Sequence, residues 1–428
     1  MYIIMDNYNI MKLHIPYGKS FLHIKVPQNT HVLSPEKVPG IVDINTYAHT
    51  VLSDSEEYKT LRKKLNADSS LAIVVNDITR PTPTGMIISW LQELIAPIPD
   101  PHIKIVIATG SHRANTVNEL RAMLGNDIVS RFTIINHDAF DDTTLHYSGE
   151  TTTGAPVYLN RDYCEADIRI VTGFIEPHFF AGFSGGPKSI MPGISGIESI
   201  MHFHNATRID HPKSTWGILE HNPVQNMAVE AAMMMKPHLS VNVTLNSRKE
   251  ITGIFAGDVI ASHRTGAEFV SKHAMLPCSG NYDLVITTNS GYPLDQSLYQ
   301  SVKGMSAAAA IVRKGGTILC AAECSDGIPD HGEFGQMMME SRSPVEILSM
   351  IRQDGFSRYD QWQVQALCKI LEKAAVHLFS TLPAETVKNV HLLPCDDMQS
   401  CIDSILSEHD GCRVAVLPDG PMGIPCIE

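Results

Sequence analysis

Lys188 ends a glycine-rich turn, Gly182-Phe183-Ser184-Gly185-Gly186-Pro187, with His178 before it and His202 and His204 after it. Glycines let a backbone approach a bulky ligand closely, and a lysine amine supplies a phosphate-binding charge or a nucleophile. Imidazoles move protons or bind metals. By residue type alone, the segment 168–204 holds a phosphorylated cofactor, with or without a metal. His202 and His204 are two apart, so a helix would point them about 200° apart and at most one can face a site.

Two further constellations could converge on the same ligand. Asp77-Ile78-Thr79-Arg80-Pro81 offers an acid, a hydroxyl and a guanidinium fork suited to a carboxylate or phosphate. Equally, Asp77 or Thr79 could cap a helix and leave Arg80 on the surface. His112 closes Ala108-Thr109-Gly110-Ser111-His112. Later in the chain, Tyr299 and Lys303 share a helix face at i,i+4 beside Gln300, where they reach an anionic substrate or are solvated. Trp362 is a core anchor or a cleft wall. His137, His211 and His221 have no such context.

A parallel α/β architecture would position these groups. The apolar runs Leu71–Val75, Ile103–Ile107 and Ile168–Val171 each end in polar residues, and Met86–Leu94 and Val117–Leu124 have helical patterns between them. That alternation predicts a doubly wound sheet with ligands beyond the carboxyl ends of its strands. Asp77, Arg80, His112 and His178 should meet there. The pattern restarts near residue 275. Leu276–Asp283 reads as a linker, followed by strand Leu284–Thr287, helices Gln296–Met305 and Ser306–Arg313, and strand Thr317–Cys320. After a loop at Asp326–Gly335 come helices Val345–Arg352 and Val364–Ala374 and a strand Val376–Ser380. The expectation is two α/β domains with parallel-rich sheets and an active-site cleft between them: 1–275 binding the cofactor and 276–412 following it. The closing run Arg413–Leu417 could return to either.

The 428 residues suffice for two or three buried cores, and 43% hydrophobic with 18% charged residues is ordinary for a globular enzyme. A net charge of -13 without a basic stripe argues against nucleic acid as a partner. No run approaches the roughly 20 apolar residues that span a bilayer, and the N-terminus has no signal-peptide pattern. Met5 or Met11 could be the true start, and the expected location is cytoplasmic. Nine scattered cysteines fit reduced thiols; the close pair Cys320 and Cys324 lacks the partners of a zinc site. Gly182–Ser189 is a near miss to an ATP-type phosphate loop, with Pro187 in place of the second glycine and its N–H lost. An ATP-using enzyme and a non-catalytic cofactor carrier are therefore the rival readings.

Taken together, DITRPTP (77–83), ATGSHR (108–113), GFIEPHFFAGFSGGPKSIMPGI (173–194), IMHFH (200–204), NSGYPLDQSLYQSVKGM (289–305) and YDQW (359–362) resemble the nickel-pincer-nucleotide lactate racemase family. The stretches run in family order over nearly the whole chain. The resemblance implies a racemase or epimerase of 2-hydroxy acids that removes and returns a hydride through a nickel-bearing pyridinium mononucleotide made by separate biosynthetic enzymes. It implies covalent attachment of that cofactor at Lys188, nickel ligation by His204, and His112 and His178 as alternating proton carriers. Asp77, Ile78, Thr79 and Arg80 would hold the cofactor, and Gln300 and Lys303, with Tyr299 and Trp362 beside them, the substrate. Pro187 stands where the family would place an arginine, Ser111 where the lactate enzyme would have an aromatic, and Pro177 precedes the second histidine. A smaller group near His112 would admit substrates longer than lactate, such as malate or a sugar acid like gluconate.

Overall fold

The computed structural model describes residues 4–6, 10–330, 332–340, 342–408 and 411–428. The chain is mixed α/β with two compact units, Lys37–Lys272 and Met1–Glu36 with His273–Glu428.

In the unit Lys37–Lys272, runs such as Leu71–Asn76 (LAIVVN) are apolar on both faces, as a strand covered by helices on each side must be. A six-stranded sheet results, in the order Ile251–Gly257, Leu239–Leu245, Ile168–Phe174, Leu71–Asn76, Ile103–Ala108, Thr133–Asn136. All neighbours are parallel except the first pair. The chain winds outward from 71–76 through 103–108 to 133–136, then returns to the other side of 71–76 at 168–174. Strand order therefore reverses between 71–76 and 168–174, which is where an open α/β sheet leaves a crevice for ligands. Helices Thr84–Ile95 and Val117–Leu124 lie between the strands as expected, and the second starts with a capping box of Thr116 and Glu119.

The unit Met1–Glu36 with His273–Glu428 also contains a six-stranded sheet, in the order Leu393–Pro394, Ala374–Phe379, Val312–Ala321, Tyr282–Thr288, Val414–Leu417, His31–Val32. Every pairing in it is parallel. The division differs from the expected 1–275 and 276–412. Residues 10–36 belong with the later sheet, because the antiparallel strands Ile10–Tyr17 and Ser20–Pro27 bury Leu13, Ile15 and Ile24 in one core with Leu284, Ile286 and Val416. The run 413–417 pairs with 282–288 in that same sheet.

Three local expectations are corrected. The supposed linker 276–283 contains a strand, Met275–Cys278, paired with Ile424–Ile427, and the start of strand Tyr282–Thr288. The supposed loop 326–335 gives way to a short helix at Phe334–Met338. The helices 296–305 and 306–313 are one helix, Leu298–Ile311, capped by Ser297. Gly304 within it is a packing glycine: a Cβ there would sit 2.1 Å from the Thr288 carbonyl oxygen, so its absence lets helix and strand touch. No described helix is long and apolar enough to cross a membrane.

Candidate active site

Three adjacent strands deliver the polar groups of the unit Lys37–Lys272. Asp77 follows strand 71–76, His112 follows 103–108, and Glu176 and His178 follow 168–174. Asp77 is buried, and its two carboxylate oxygens are spoken for: Thr79 Oγ1 donates to Oδ1 at 2.7 Å, and Oδ2 lies 2.8 Å from His112 Nδ1. Burial alone would raise the Asp77 pKa, but the charge of His112, the hydrogen bond from it, Arg80 and Thr79 outweigh that and hold it below the ordinary value. A carboxylate beside Nδ1 makes Nδ1–H the donor, which leaves Nε2 as the basic nitrogen of the neutral ring. Arg80 Nε lies 3.6 Å from the buried carboxylate of Glu176, and its Nη1 donates to Thr79 Oγ1 at 3.4 Å. Ile78 is half-buried.

His178 is fixed in the opposite sense. Its Nδ1 accepts from the main-chain N–H groups of Phe180 at 3.1 Å and Ala181 at 3.2 Å, so the proton of the neutral ring sits on Nε2. The turn that holds it is a small hairpin, pairing Pro177 with Phe183 and His178 with Gly182.

From Ile170 to Met191 every residue is buried except Lys188. The turn around this lysine is braced from behind. Asn242, in the middle of strand 239–245, accepts the Gly186 N–H at 3.0 Å through Oδ1, and Ser189 Oγ donates to the Thr172 carbonyl at 3.1 Å. The ring of His263 closes the back, its Nε2–H donating to the Ser184 carbonyl at 2.9 Å. A Cβ on Gly186, which has φ +52°, would lie 2.5 Å from that ring, so only glycine fits there. Burial, helped by the Lys188 charge and only partly offset by the hydrogen bond to Ser184, lowers the His263 pKa to about 4. Gly186 and Pro187 open a four-residue 3₁₀ turn rather than an α-helix, so the helix N-terminus that an ATP-type loop requires is missing at Gly186–Ser189.

His204 and His202 separate cleanly. His204 caps the helix Ile197–Phe203 and is buried, whereas His202 is exposed. Burial first and the Lys188 charge second push the His204 pKa well down, leaving a neutral imidazole beside the amine. The ring of Phe180 stands between the two histidine elements, 6.0 Å from His178 and 6.3 Å from His204 between centroids. His137 is a buried strut, its Nε2 3.0 Å from the Ser195 carbonyl. Among the described residues no cluster of three or more His, Cys, Asp or Glu is arranged to hold a metal. Cys320 and Cys324 are buried free thiols.

The remaining expected residues lie in the unit Met1–Glu36 with His273–Glu428. On helix 298–311, Lys303 Nζ donates to Gln300 Oε1 at 2.6 Å, which orients the Gln300 amide N–H₂. Tyr299 accepts from the indole Nε1–H of the buried Trp362 at 2.8 Å, and its pKa is driven well up by burial and by Asp360. Glu176, Asn242 and His263 were not singled out from sequence. Asn242 carries a signal, a lone amide within the apolar strand LSVNVTL; the other two carry none.

A doubly wound sheet with charged and titratable groups beyond its strand ends places the chain in the α/β class. Comparison with known proteins narrows this. Residues 17–217 match the lactate racemase N-terminal domain and 279–424 the lactate racemase C-terminal domain. The lactate racemase of Lactiplantibacillus plantarum is 36% identical over 96% of this chain and 99% of its own. That of Thermoanaerobacterium thermosaccharolyticum is 34% identical over 95% and 97%, and the structure of its apoprotein superposes with a TM-score of 0.87 at 33% identity, covering 97% of this chain and 100% of that one. A Thermotoga maritima protein shares the fold, with a TM-score of 0.69 at 18% identity over 92% of this chain and 100% of that one. The chain belongs to the lactate racemase family and is an isomerase of the racemase type.

Proposed function

We propose that this enzyme racemises or epimerises a 2-hydroxy acid with a nickel-pincer nucleotide held at Lys188. The carrying observation is the run 170–191, in which a single partly exposed amine stands in an otherwise buried stretch. His204 fits nickel, because a neutral buried imidazole offers a lone pair where a protonated one offers none. Ile78, Thr79 and Arg80 are the part of their segment proposed to face the nucleotide. Asp77 is assigned to His112 instead, since both of its oxygens are engaged by His112 and Thr79.

The C–H of a 2-hydroxy acid is too weak an acid for ready deprotonation beside a carboxylate. When bound, the nucleotide would supply a hydride acceptor that returns the hydride to either face of the carbon. The chain handles the proton. His112 Nε2 takes it from the hydroxyl, with Asp77 holding the imidazolium that forms. When the oxygen lies on the other side, His178 Nε2–H donates a hydrogen bond to it, and the His112 imidazolium returns its proton to the product hydroxyl. Gln300 and Lys303 grip the substrate carboxylate, with Tyr299 and Trp362 as their backing. Lactate, malate and sugar acids such as gluconate are the candidate substrates.

Single enantiomers of these acids, incubated in D₂O with the cofactor-loaded enzyme, test the reading. The expected product is the inverted enantiomer with hydrogen retained at C2. Deuterium at C2 would show a carbanion route and overturn hydride return, and turnover of lactate alone would overturn the enlarged substrate range.

A further inference from the structure

We propose that Glu176 is a positioning residue that sets both proton-handling histidines at once, a role that rests on the reading above. A buried carboxylate needs compensating charge or hydrogen bonds, and Glu176 is 6% exposed. Its side chain lies 3.6 Å from Arg80 Nε, across the reversal between strands 71–76 and 168–174. From Arg80 the contacts continue through Thr79 to Asp77 and end on His112 Nδ1. Its main chain serves the other histidine. The Glu176 N–H donates to Ser184 Oγ at 3.0 Å and its carbonyl accepts from the Ser184 N–H at 2.9 Å, closing the base of the hairpin that carries His178.

Charge shows why the carboxylate matters. Arg80 faces Glu176 directly and reaches the second acid, Asp77, through Thr79. With Glu176 neutralised, the guanidinium has one acid left to turn to. It then competes with His112 for Asp77, and the Nδ1–H tautomer loses its anchor. A displacement of about 1 Å at such a group is enough for a rate loss near 100-fold.

Glu176→Gln keeps the shape and removes the charge, while Glu176→Asp keeps the charge on a shorter arm. In the cofactor-loaded enzyme, Glu176→Gln should lower kcat roughly 10- to 100-fold with KM within about 2-fold and the Lys188 adduct mass and nickel content at parental levels. Glu176→Asp should fall between it and the parent. Arg80→Gln combined with Glu176→Gln should be no slower than the slower single variant, because both break one link. Unchanged kcat, multiplicative losses, or a loss explained by lower adduct occupancy would overturn the proposal. Long-range ¹H–¹⁵N spectra of the unloaded, ¹⁵N-histidine-labelled chain, with His112 assigned by His112→Gln, separate this from the catalytic reading. They should show a single Nδ1–H tautomer in the parent and a mixture in Glu176→Gln. A single tautomer persisting in that variant refutes the role of Glu176 whether or not the chain racemises anything.

Discussion

Each sheet winds outward from a middle strand and then returns to that strand's other side, yet the two reversals are furnished differently. Between 71–76 and 168–174 the strand ends lead into Asp77, Arg80, Glu176 and His178, which are charged or titratable and largely buried. Between 282–288 and 414–417 the ends are tied by a hydroxyl and main chain, with Thr288 Oγ1 donating to the Pro418 carbonyl at 2.7 Å and Ser290 Oγ to the Asp419 carbonyl. Gly420 closes that reversal tightly, since a Cβ on it would lie 2.1 Å from the Thr288 carbonyl oxygen. The chemistry-bearing side chains of that unit, Gln300 and Lys303, sit on a helix instead. Topology supplies a crevice, and only the side chains placed beyond it decide whether it does chemistry.

The largest effects should come from the charged reversal. His112→Gln and His178→Gln should each reduce kcat by about 10²- to 10⁴-fold while leaving the Lys188 adduct intact, measured by steady-state turnover of each enantiomer. Next comes the helix proposed to hold the substrate carboxylate. Lys303→Met removes a hydrogen bond to a charged group, worth about 1.5–3 kcal/mol, and should raise KM roughly 10- to 100-fold with a smaller change in kcat.

A pH effect on stability follows. Burial lowers the His137 and His263 pKa values from 6.5 to about 4. The unfolded chain therefore binds protons that the folded chain refuses between these values, so stability is full above pH 6.5 and declines as pH falls toward 4. The loss should be on the order of 2 kcal/mol per residue by pH 5, read from denaturant unfolding of the unloaded chain, with a shallower slope in His137→Asn. The smallest change belongs to the hydroxyl-tied reversal. Thr288→Val should cost about 1 kcal/mol of stability with kcat unchanged, and a large loss of kcat there would erase the contrast between the reversals.

Much of this was legible in the sequence, for definable reasons. The strands before Asp77, His112 and His178 were readable because a doubly covered strand must be apolar on both faces, and the fold rule then places its end at the ligand. The choice between His202 and His204 was not, because a 200° separation says that one faces inward without saying which; burial of His204 decides. The joining of residues 10–36 to the later sheet escaped because strand pairing over such a distance leaves no local pattern. Helix 298–311 was read as two stretches, 296–305 and 306–313, where the chain forms one continuous helix. Glu176 stayed unread for a related reason: its partner Arg80 lies on another loop, and a lone acid beside a proline has no periodicity to betray it.

Intact mass spectrometry on chain produced together with the nucleotide's biosynthetic enzymes and nickel decides whether Lys188 carries the cofactor. The parent should show a covalent increment and bound nickel, and Lys188→Ala neither increment nor turnover. A parent chain that racemises its substrate at unmodified mass would contradict that attachment.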